Sequence, residues 1–567
     1  MNNKIIIYQL LVRLAGNKVS TMKPWGSLAE NGCGKFNDLN QSLLSGIKSL
    51  GCTHIWLTGV IEHASTTAYP GEGIQADNPL VIKGKAGSPY AIRDYFDVHP
   101  DLAVDVSNRM QEFESLLARC RENGLVPLMD FVPNHLARSY QSDQPEGLAC
   151  QFGSSDQSDK HFDPQNNFYY IPGRKLELPP EVYALPVNNE AAPYEESPAR
   201  ATGNDCFSHK PSTNDWYETV KLNYGVDHQS GGQEHFNPVP DTWHKMLSVL
   251  RFWAGKGIGG FRCDMAEMVP VAFWEWVISR IRADFPEIMF IAEIYNPDVY
   301  KTYQEAGFDF LYDKVGLYDA TRNILEGKQG ASVISGVWQS LSGMDQYMLR
   351  FMENHDEQRI ASTQFAKKAQ AGIPAMTLAA TMHKGPVMLY FGQELGEKAA
   401  GSTGFSGADG RTSIFDYCHL PTFQLWYNGG ACNELQLDPE AKGLRAFYTH
   451  LLNLCHDPVV SGGHFYDIMW ANPQQPMHYI YAYIRWTTEK AWLILANFNQ
   501  HENIRTTLHI PDHFWEFSGH GKALLQSAQS ILPAESITPP IKFKMSAHGF
   551  DLELPPYAAG IISMQKP

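Results

Sequence analysis

Acidic residues at the ends of apolar runs are the part of this sequence best suited to chemistry. In Gly260-Phe261-Arg262-Cys263-Asp264, an arginine and an aspartate stand two residues apart, so on a strand both side chains project to the same side. Four carboxylates stand at or just beyond the ends of such runs: Asp130, Asp264, Glu293 and Asp356. Strand ends favour polar residues, so each could simply be a capping or solvated group. Together, with His135, Arg262 and His355 beside them, they favour a catalytic site.

The chemistry that these residue types suggest is cleavage of a glycosidic bond. The sequence has no His-Glu-x-x-His or Cys-x-x-Cys spacing for a catalytic metal, and no phosphate loop or Rossmann glycine pattern. Paired-carboxylate chemistry remains. One carboxylate attacks or stabilises the anomeric carbon and a second protonates the leaving oxygen, at about 5–5.5 Å from each other in retaining enzymes.

The elements that must position these residues alternate between strands and helices, which is typical of a parallel sheet with helical crossovers. Eight apolar runs of strand length are centred near residues 7, 56, 128, 261, 290, 310, 350 and 388. We therefore predict an α/β fold, a closed (β/α)8 TIM barrel. Enzymes of this architecture build their active sites from residues at the carboxyl ends of different strands.

Two segments depart from this alternation. A polar, aromatic and proline-rich stretch follows the third strand, and short strands without helices follow residue 460. We predict four segments: 1–135 as the first part of the catalytic barrel, 136–235 as an inserted subdomain, 236–460 as the second part, and 465–567 as a C-terminal all-β sandwich. The sandwich is expected to support the barrel, with Trp486 and Trp492 as an alternative sugar platform.

Charge and composition narrow the classes of function. The 567 residues carry a formal net charge of −16, which argues against binding nucleic acid through its phosphates. No apolar stretch is long enough for a transmembrane helix, and the amino terminus resembles a first strand rather than a signal peptide. Nine cysteines include three in apolar runs, Cys52, Cys120 and Cys263, which favour buried free thiols. We expect a soluble, cytoplasmic protein.

Four motifs carry a resemblance that covers essentially the whole chain. They are Asp130-Phe131-Val132-Pro133-Asn134-His135, Gly260-Phe261-Arg262-Cys263-Asp264, Ile291-Ala292-Glu293-Ile294 and Phe351-Met352-Glu353-Asn354-His355-Asp356. In this order and spacing, the sequence resembles the alpha-amylase family of glycoside hydrolases. Each motif is weak alone, but jointly they are highly specific.

The resemblance implies roles for the three carboxylates. Asp264 would be the nucleophile that forms a glycosyl-enzyme intermediate, and Glu293 would be the general acid and then the general base. Asp356 would bind sugar hydroxyls and favour the distorted ring. These roles predict a raised pKa for Glu293, and they predict that Arg262 keeps Asp264 ionised.

Further roles follow from the same resemblance. Substrate-binding residues would be Tyr90, His135, Arg262 and His355, of which Tyr90 would stack on the sugar. Supporting residues would be Asp94, Asp130, Glu267 and Arg359. Glu353 and Arg359 could either support the site or be surface charges. No cofactor is expected for the chemistry. Asn134 matches a position that binds a structural calcium in many relatives, and the other ligands of that ion cannot be assigned from the sequence.

The sequence also departs from the family. Many starch-degrading relatives have lysine and histidine three and four positions after the nucleophile, where this chain has Glu267 and Met268. The spacing to Phe273-Trp274 resembles the neopullulanase and cyclomaltodextrinase branch. We predict a retaining hydrolase of α-glucosidic bonds, chiefly α-1,4, in starch-, glycogen- or maltodextrin-type glucans. A transglycosylase and a non-catalytic carbohydrate-binding protein are the alternatives, and the number of subunits stays open.

Overall fold

A parallel sheet of eight strands forms the centre of the molecule. A computed structural model describes residues 4–189, 191–341, 343–474, 478–532, 539–547 and 549–565. Within these residues we number the barrel strands β1 Ile6–Leu11, β2 His54–Thr58, β3 Val126–Phe131, β4 Gly260–Cys263, β5 Met289–Ala292, β6 Phe310–Tyr312, β7 Met348–Leu349 and β8 Val387–Tyr390. Each strand lies on one of the eight predicted apolar runs, so these predictions are confirmed.

The sheet closes on itself as a barrel. Strands β1 to β7 pair in parallel in chain order, and β8 pairs with β1. A parallel bridge between Arg350, directly after β7, and Val387 of β8 joins the two remaining edges. The predicted (β/α)8 barrel is therefore present, and its parallel order places all the strand carboxyl ends on one face.

Helices follow the barrel strands and pack against them. The helix after β1 shows why they form: the Asn40 side chain caps it by accepting a hydrogen bond from the Leu43 amide, and Gly51, at φ 97°, follows its end. The longer helices are Gln41–Ser49, Arg109–Glu122, Asp241–Lys256, Val271–Asp284, Tyr300–Glu305, Asp319–Leu325, Val333–Ser340, Gly372–Thr381, Pro421–Tyr427 and Pro439–Leu454. Short helices are Val12–Ala15, Leu28–Asn31, Pro145–Ala149, Pro180–Tyr183, Pro458–Ser461 and Asp512–Ser518.

The segment between β3 and the helix Asp241–Lys256 consists mainly of loops. Short antiparallel pairs join it: His135–Ala137 with Thr219–Lys221, Tyr170–Ile171 with Ala199–Arg200, and Val226–Asp227 with Gln233–Glu234. The first pair links the chain just after β3 to the far end of the insert. A further hairpin of Ile61–His63 and Ile92–Val98 follows β2. The insert is therefore anchored beside the carboxyl ends of the barrel strands.

The C-terminal region contains two antiparallel sheets. One consists of His464–Asp467, Ile480–Trp486, Lys490–Asn497, Ala559–Gln565 and Gln529–Ser530, and the other of Ile504–His509, Gly549–Leu554 and Lys542–Met545. The helix Asp512–Ser518 and the 3-10 helices Met469–Ala471 and Lys522–Ser527 interrupt this otherwise all-β region. Trp486 and Trp492 are only 5% and 2% exposed, so burial excludes the alternative that they form a sugar platform. The Arg485 guanidinium instead donates to backbone carbonyls of the barrel side, including Val460, which supports the predicted packing role.

The cysteines and the helices bear on the remaining predictions from composition. All nine cysteines are free thiols, and Cys52, Cys120 and Cys263 are buried as predicted. Among the residues that the structure describes, no helix combines the length and the apolar character needed to cross a membrane.

Candidate active site

The carboxyl ends of β3, β4 and β5 bring three of the four predicted carboxylates to one place. Asp264 and Glu293 are the residues directly after β4 and β5, and Asp130 is the penultimate residue of β3. In register, Arg262 of β4 lies opposite Asp130, so their side chains share a face of the sheet. Asp356 lies seven positions beyond β7, on the loop that follows it.

Arg262 is the positive charge at the centre of this group. Its Nη1 lies 2.6 Å from Asp264 Oδ1 and 3.7 Å from Asp130 Oδ1, and its Nη2 lies 2.7 Å from Glu293 Oε1. The contact with Asp264 is a hydrogen bond, whereas the N–H bonds of Nη2 do not point at Glu293. Arg262 therefore holds the predicted nucleophile through a directed hydrogen bond and attracts the predicted acid through charge alone.

Aromatic rings exclude water from this guanidinium. Its central carbon lies 5.3 Å, 5.5 Å and 5.3 Å from the ring centres of Trp56, Tyr90 and Tyr312. The Tyr312 hydroxyl also accepts a hydrogen bond from Arg262 Nε at 3.1 Å. Arg262 is only 1% exposed, so its attraction for the neighbouring carboxylates is screened little by solvent.

At each of the two central carboxylates, burial raises the pKa and the charge of Arg262 lowers it. Burial raises the pKa of Asp264, and Arg262 is the main group that opposes the rise. Arg262 thus favours the ionised form of Asp264, but the effect of burial is larger, so the ionised nucleophile stays a prediction. Burial also raises the pKa of Glu293, against Arg262 and with help from the charge of Asp264. The direction for Glu293 agrees with the one predicted for a general acid.

Two hydrogen bonds fix the Glu293 carboxyl group. Its Oε2 accepts from the Met265 backbone amide at 2.7 Å, and its Oε1 accepts from the Tyr295 hydroxyl at 2.7 Å. Met265 follows the nucleophile directly and adopts a left-handed conformation at φ 44°, which is costly for a residue other than glycine. The nucleophile loop and the acid therefore constrain each other.

Asp356 differs from the other carboxylates because it reaches the cleft surface. Its side chain is 44% exposed. Desolvation by the surrounding protein, and next the charge of Glu293, raise the pKa of Asp356 to about 7. The Asn354 side chain accepts hydrogen bonds from the backbone amides of Asp356 and Glu357, and so fixes the loop. An exposed carboxylate in this position can accept hydroxyl donors from a ligand.

A chain of hydrogen bonds joins Tyr90 and His355 to the first strand. The Tyr90 hydroxyl lies 2.6 Å from His355 Nε2, and His355 Nδ1 lies 2.8 Å from the Gln9 side-chain amide. The Tyr90 and His355 rings stack with centroids 5.2 Å apart. Burial, and next Arg262, lower the pKa of His355 well below its usual value, so the imidazole is neutral at physiological pH. His355 Nε2 also lies 3.2 Å from Asp356 Oδ2.

His135 joins this face from the segment that follows β3. It begins the short strand after β3, is 3% exposed, and packs its ring against Trp216 of the insert at 5.1 Å. Burial lowers the pKa of His135 to about 4. The Asn134 side-chain nitrogen lies 3.2 Å from His135 Nδ1. A neutral imidazole held in this way can exchange hydrogen bonds with hydroxyl groups.

Asp130 contacts the site, whereas Asp94 is bonded elsewhere. Asp130 accepts hydrogen bonds from Trp56 Nε1 at 3.0 Å and the Tyr90 hydroxyl at 3.3 Å, and burial raises its pKa to about 7. Asp94 accepts from the Ser142 hydroxyl and from the Phe96 amide. Asp94 therefore links the chain before and after the start of the insert, and its hydrogen bonds go to that segment rather than to the catalytic carboxylates.

Arg359 and Glu353 form a buried pair behind the Asp356 loop. Arg359 Nη1 donates to Glu353 Oε2 at 2.9 Å, and the two residues are 0% and 1% exposed. Burial therefore excludes the alternative that they are surface charges. Glu267 lies at the rim, where its carboxylate accepts from the Asn296 amide at 3.2 Å. The structure thus places Glu267 between the loops that follow β4 and β5.

The oxygen atoms around Asn134, the candidate calcium ligand, face a lysine side chain. The Lys221 ammonium lies 2.5 Å from Asn134 Oδ1, 2.7 Å from Asp205 Oδ1 and 3.3 Å from the Met268 carbonyl oxygen. Within the described residues, no group of three or more His, Cys, Asp or Glu side chains could hold a metal ion. A divalent ion about 4 Å from this ammonium would be repelled by about 8 kcal/mol at an effective dielectric constant of about 20. The residues present do not fit a calcium ion.

Five residues of the site were missed in the sequence: Gln9, Trp56, Lys221, Tyr295 and Tyr312. Gln9 and Trp56 lie within β1 and β2, and Tyr312 ends β6, so a search of every strand for polar and aromatic residues would have found them. Tyr295 follows the acid by two positions. Lys221 lies in the insert, and nothing in the sequence shows which side chain its ammonium meets.

Comparison with known proteins identifies the family. The family model "Alpha amylase, catalytic domain" matches residues 29–413. The chain belongs to the alpha-amylase family. Two of its relatives in that family have different named activities. Alpha-amylase 3 of Dictyoglomus thermophilum is 22% identical over 76% of this chain and 74% of its own length. An alpha-1,4-glucan:maltose-1-phosphate maltosyltransferase of Picrophilus torridus is 22% identical over 51% of this chain and 36% of its own length.

Solved structures of the alpha-amylase family share the fold. An alpha-amylase from H. orenii superimposes with a TM-score of 0.63 at 16% identity and full coverage of both chains. At that identity the likeness concerns the fold. The chain spans only 36%, 31% and 24% of three of its curated relatives, so their activities do not transfer to it by similarity alone.

Proposed function

We propose that the protein is a retaining glycoside hydrolase that cleaves α-glucosidic bonds, chiefly α-1,4, by double displacement. The observation that carries this proposal is that Asp264 and Glu293 end adjacent barrel strands and are held by one buried arginine. The two carboxylates share one desolvated site in which burial raises both pKa values, and Arg262, hydrogen-bonded to Asp264, opposes the rise at the nucleophile. A nucleophile held by a cation beside a proton donor is the arrangement that the reaction needs.

In the first step, an Asp264 carboxylate oxygen attacks the anomeric carbon as the bond to the leaving oxygen breaks. Glu293 gives its proton to that oxygen, and a covalent glycosyl-enzyme ester forms. In the second step, Glu293 removes a proton from water, whose oxygen bonds to the anomeric carbon and displaces Asp264. Because each displacement inverts the configuration, the product keeps the α-anomer.

The surrounding residues bind and orient the sugar. Asp356 would accept sugar hydroxyls at the open side of the site, and neutral His135 and His355 would exchange hydrogen bonds with hydroxyls. Tyr90 would present its ring to the apolar face of the sugar, as the resemblance to the family implies. Arg262 holds Asp264 in position for attack, and Tyr295 orients the Glu293 carboxyl group.

The substrate class that we propose is a neutral α-glucan such as starch, glycogen or a maltodextrin. The net charge of −16 disfavours polyanionic substrates. Family membership and the name of the Dictyoglomus relative support an α-1,4-glucan. We further propose a reducing, cytoplasmic location, since nine unpaired thiols suit a compartment in which disulfides do not form.

The Asp264→Asn variant tests this proposal. We expect hydrolysis of a malto-oligosaccharide to fall by several orders of magnitude while the protein stays folded, because Asp130 and Glu293 still lie beside Arg262. Asp284→Asn is the matched control, because that aspartate lies on an exposed helix in a surface ion pair. Near wild-type turnover by Asp264→Asn would contradict the assignment. Proton NMR of the first products should show the α-anomer, and initial release of the β-anomer would exclude double displacement.

A transglycosylase is the second candidate. Its support is that the Picrophilus relative and others with similar matches are named maltosyltransferases. In that case a sugar hydroxyl or a phosphate group, rather than water, attacks the same intermediate. A product profile on maltotriose, with and without maltose or inorganic phosphate as acceptor, separates the two. Products longer than the substrate, or a glycosyl phosphate, would favour transfer.

A further inference from the structure

A buried ammonium group stands where the insert meets the catalytic face. Lys221 ends the insert strand Thr219–Lys221, which pairs with His135–Ala137 directly after β3. Its side chain is 2% exposed. Because an ammonium is rarely buried without compensation, the partners of Lys221 must account for its position.

Within the part of the chain that the structure describes, the hydrogen-bond and ion-pair partners of this ammonium are oxygen atoms from three separate segments. They are Asn134 Oδ1 after β3, Asp205 Oδ1 in the insert, and the carbonyl oxygen of Met268 after β4. An ammonium has three N–H donors and no acceptor, so three oxygens use its full capacity. Asp205 adopts φ 63°, a left-handed conformation that aspartate visits more readily than most residues.

One amide, one carboxylate and one backbone carbonyl are also the oxygen types that hold calcium in proteins. We propose that the Lys221 ammonium is the resident cation of this junction and replaces a divalent ion as the link between insert and barrel. The charge of one carboxylate is balanced by one ammonium, so the site is neutral without a metal. This inference concerns the architecture of the site and holds whether the enzyme hydrolyses or transfers glucans.

The junction lies next to residues of the proposed active site. Asn134 precedes His135, and its side-chain nitrogen contacts the His135 ring. Met268 lies on the loop that begins at Met265, whose amide binds the acid Glu293. Lys221 is therefore a positioning residue: it fixes the backbone on both sides of the site without touching the reacting atoms.

The first test uses the wild-type protein. We expect dialysis against EDTA, and subsequent addition of millimolar calcium chloride, to leave the unfolding temperature unchanged. Metal analysis of the purified protein should find no stoichiometric calcium. A chelator-induced fall in the unfolding temperature that calcium reverses would overturn the proposal. Because the readout is thermal unfolding, a failure here is distinguishable from a failure of the proposed activity.

The second test creates the complementary state. Lys221→Ala leaves the three oxygen groups facing an emptied space, so we expect a lower unfolding temperature in EDTA and partial recovery with calcium chloride. Lys210→Met is the matched control, since Lys210 pairs with Glu177 on the exposed surface of the same insert. It should show neither effect. A Lys221→Ala protein that folds but does not respond to calcium would show that these oxygens do not form a cation site.

A third variant covers the case in which Lys221→Ala does not fold. Asp205→Asn keeps the ammonium and an oxygen acceptor while it removes the balancing negative charge. We expect a lower unfolding temperature that calcium does not restore, because the positive Lys221 still occupies the site. Restoration by calcium in this variant would overturn the proposal.

Discussion

Arg262→Met is the sharpest perturbation of the proposed site. The change keeps an unbranched side chain of similar length among the three aromatic rings but removes the charge that faces Asp264 and Glu293. Breaking a buried ion pair by removing one partner costs about 3–5 kcal/mol of unfolding free energy. In the variant both carboxylates have raised folded-state pKa values without an opposing cation. The loss of stability should therefore grow as the pH rises, because the uncompensated groups then ionise.

An exposed pair of nearly equal length provides the control. Arg251 Nη2 lies 2.8 Å from Asp284 Oδ2, close to the 2.6 Å between Arg262 and Asp264, but its two side chains are 49% and 44% exposed. Because solvent screens such pairs, Arg251→Met should cost about 1 kcal/mol at most. Urea denaturation of both variants at the same pH measures the difference that burial makes.

The activity of Arg262→Met tests the chemistry separately. The nucleophile must be ionised in the free enzyme, and its ionisation sets the acidic limb of the pH profile of kcat/KM. Without the guanidinium, the pKa of Asp264 rises further, so the acidic limb should move to higher pH. Initial rates on a malto-oligosaccharide across the pH range measure this limb. An acidic limb at its wild-type position would refute the argument that Arg262 keeps Asp264 ionised.

Two further variants test hydrogen bonds and burial around the site. Tyr295→Phe removes a hydrogen-bond donor that stabilises the ionised form of Glu293, so the pKa of Glu293 should rise. The basic limb of the pH profile of kcat/KM should therefore move to higher pH. A basic limb at its wild-type position would contradict this role. Arg359→Met leaves Glu353 buried without its partner and should cost about 3–5 kcal/mol of stability. Burial already raises the pKa of Glu353 to about 6. Urea denaturation should therefore show a larger loss at about pH 8, where Glu353 is ionised, than at about pH 5, and an equal loss would contradict the explanation.

The barrel was predictable because its signals are local. Apolar runs of strand length separated by periodic helices place every strand, and glycine endings such as Gly51 and Gly124 mark where helices stop. The C-terminal region was predictable as sheet but not in detail, because the helix Asp512–Ser518 lies between strands whose pairing is set by distant partners. The insert has few periodic elements, so its short strand pairs were not foreseen.

The positions of the carboxylates could be predicted from the sequence, whereas the side chains that surround them could not. Asp264 and Glu293 follow strands that the sequence reveals, so their proximity follows from barrel geometry. The contact between Arg262 and Glu293 could not be foreseen, since it depends on how one side chain turns between two strands. The pKa of Asp264 depends on how completely all the neighbouring residues bury it, which the sequence does not show. The contact between Lys221 and Asn134 could not be foreseen either, because these residues are 87 positions apart in the sequence.

Closure of the barrel by its first and last strands has a consequence for how the chain folds during synthesis. Ile6 pairs with Val387, so the seam cannot form until nearly four hundred residues have left the ribosome. At about 5–20 residues per second, the edge of β1 stays unpaired for roughly 20–75 seconds. An apolar strand with a free edge can pair with another chain during that time. Nascent protein should therefore be most prone to aggregation before β8 emerges, and binding of a chaperone to the first strand would protect it through this interval.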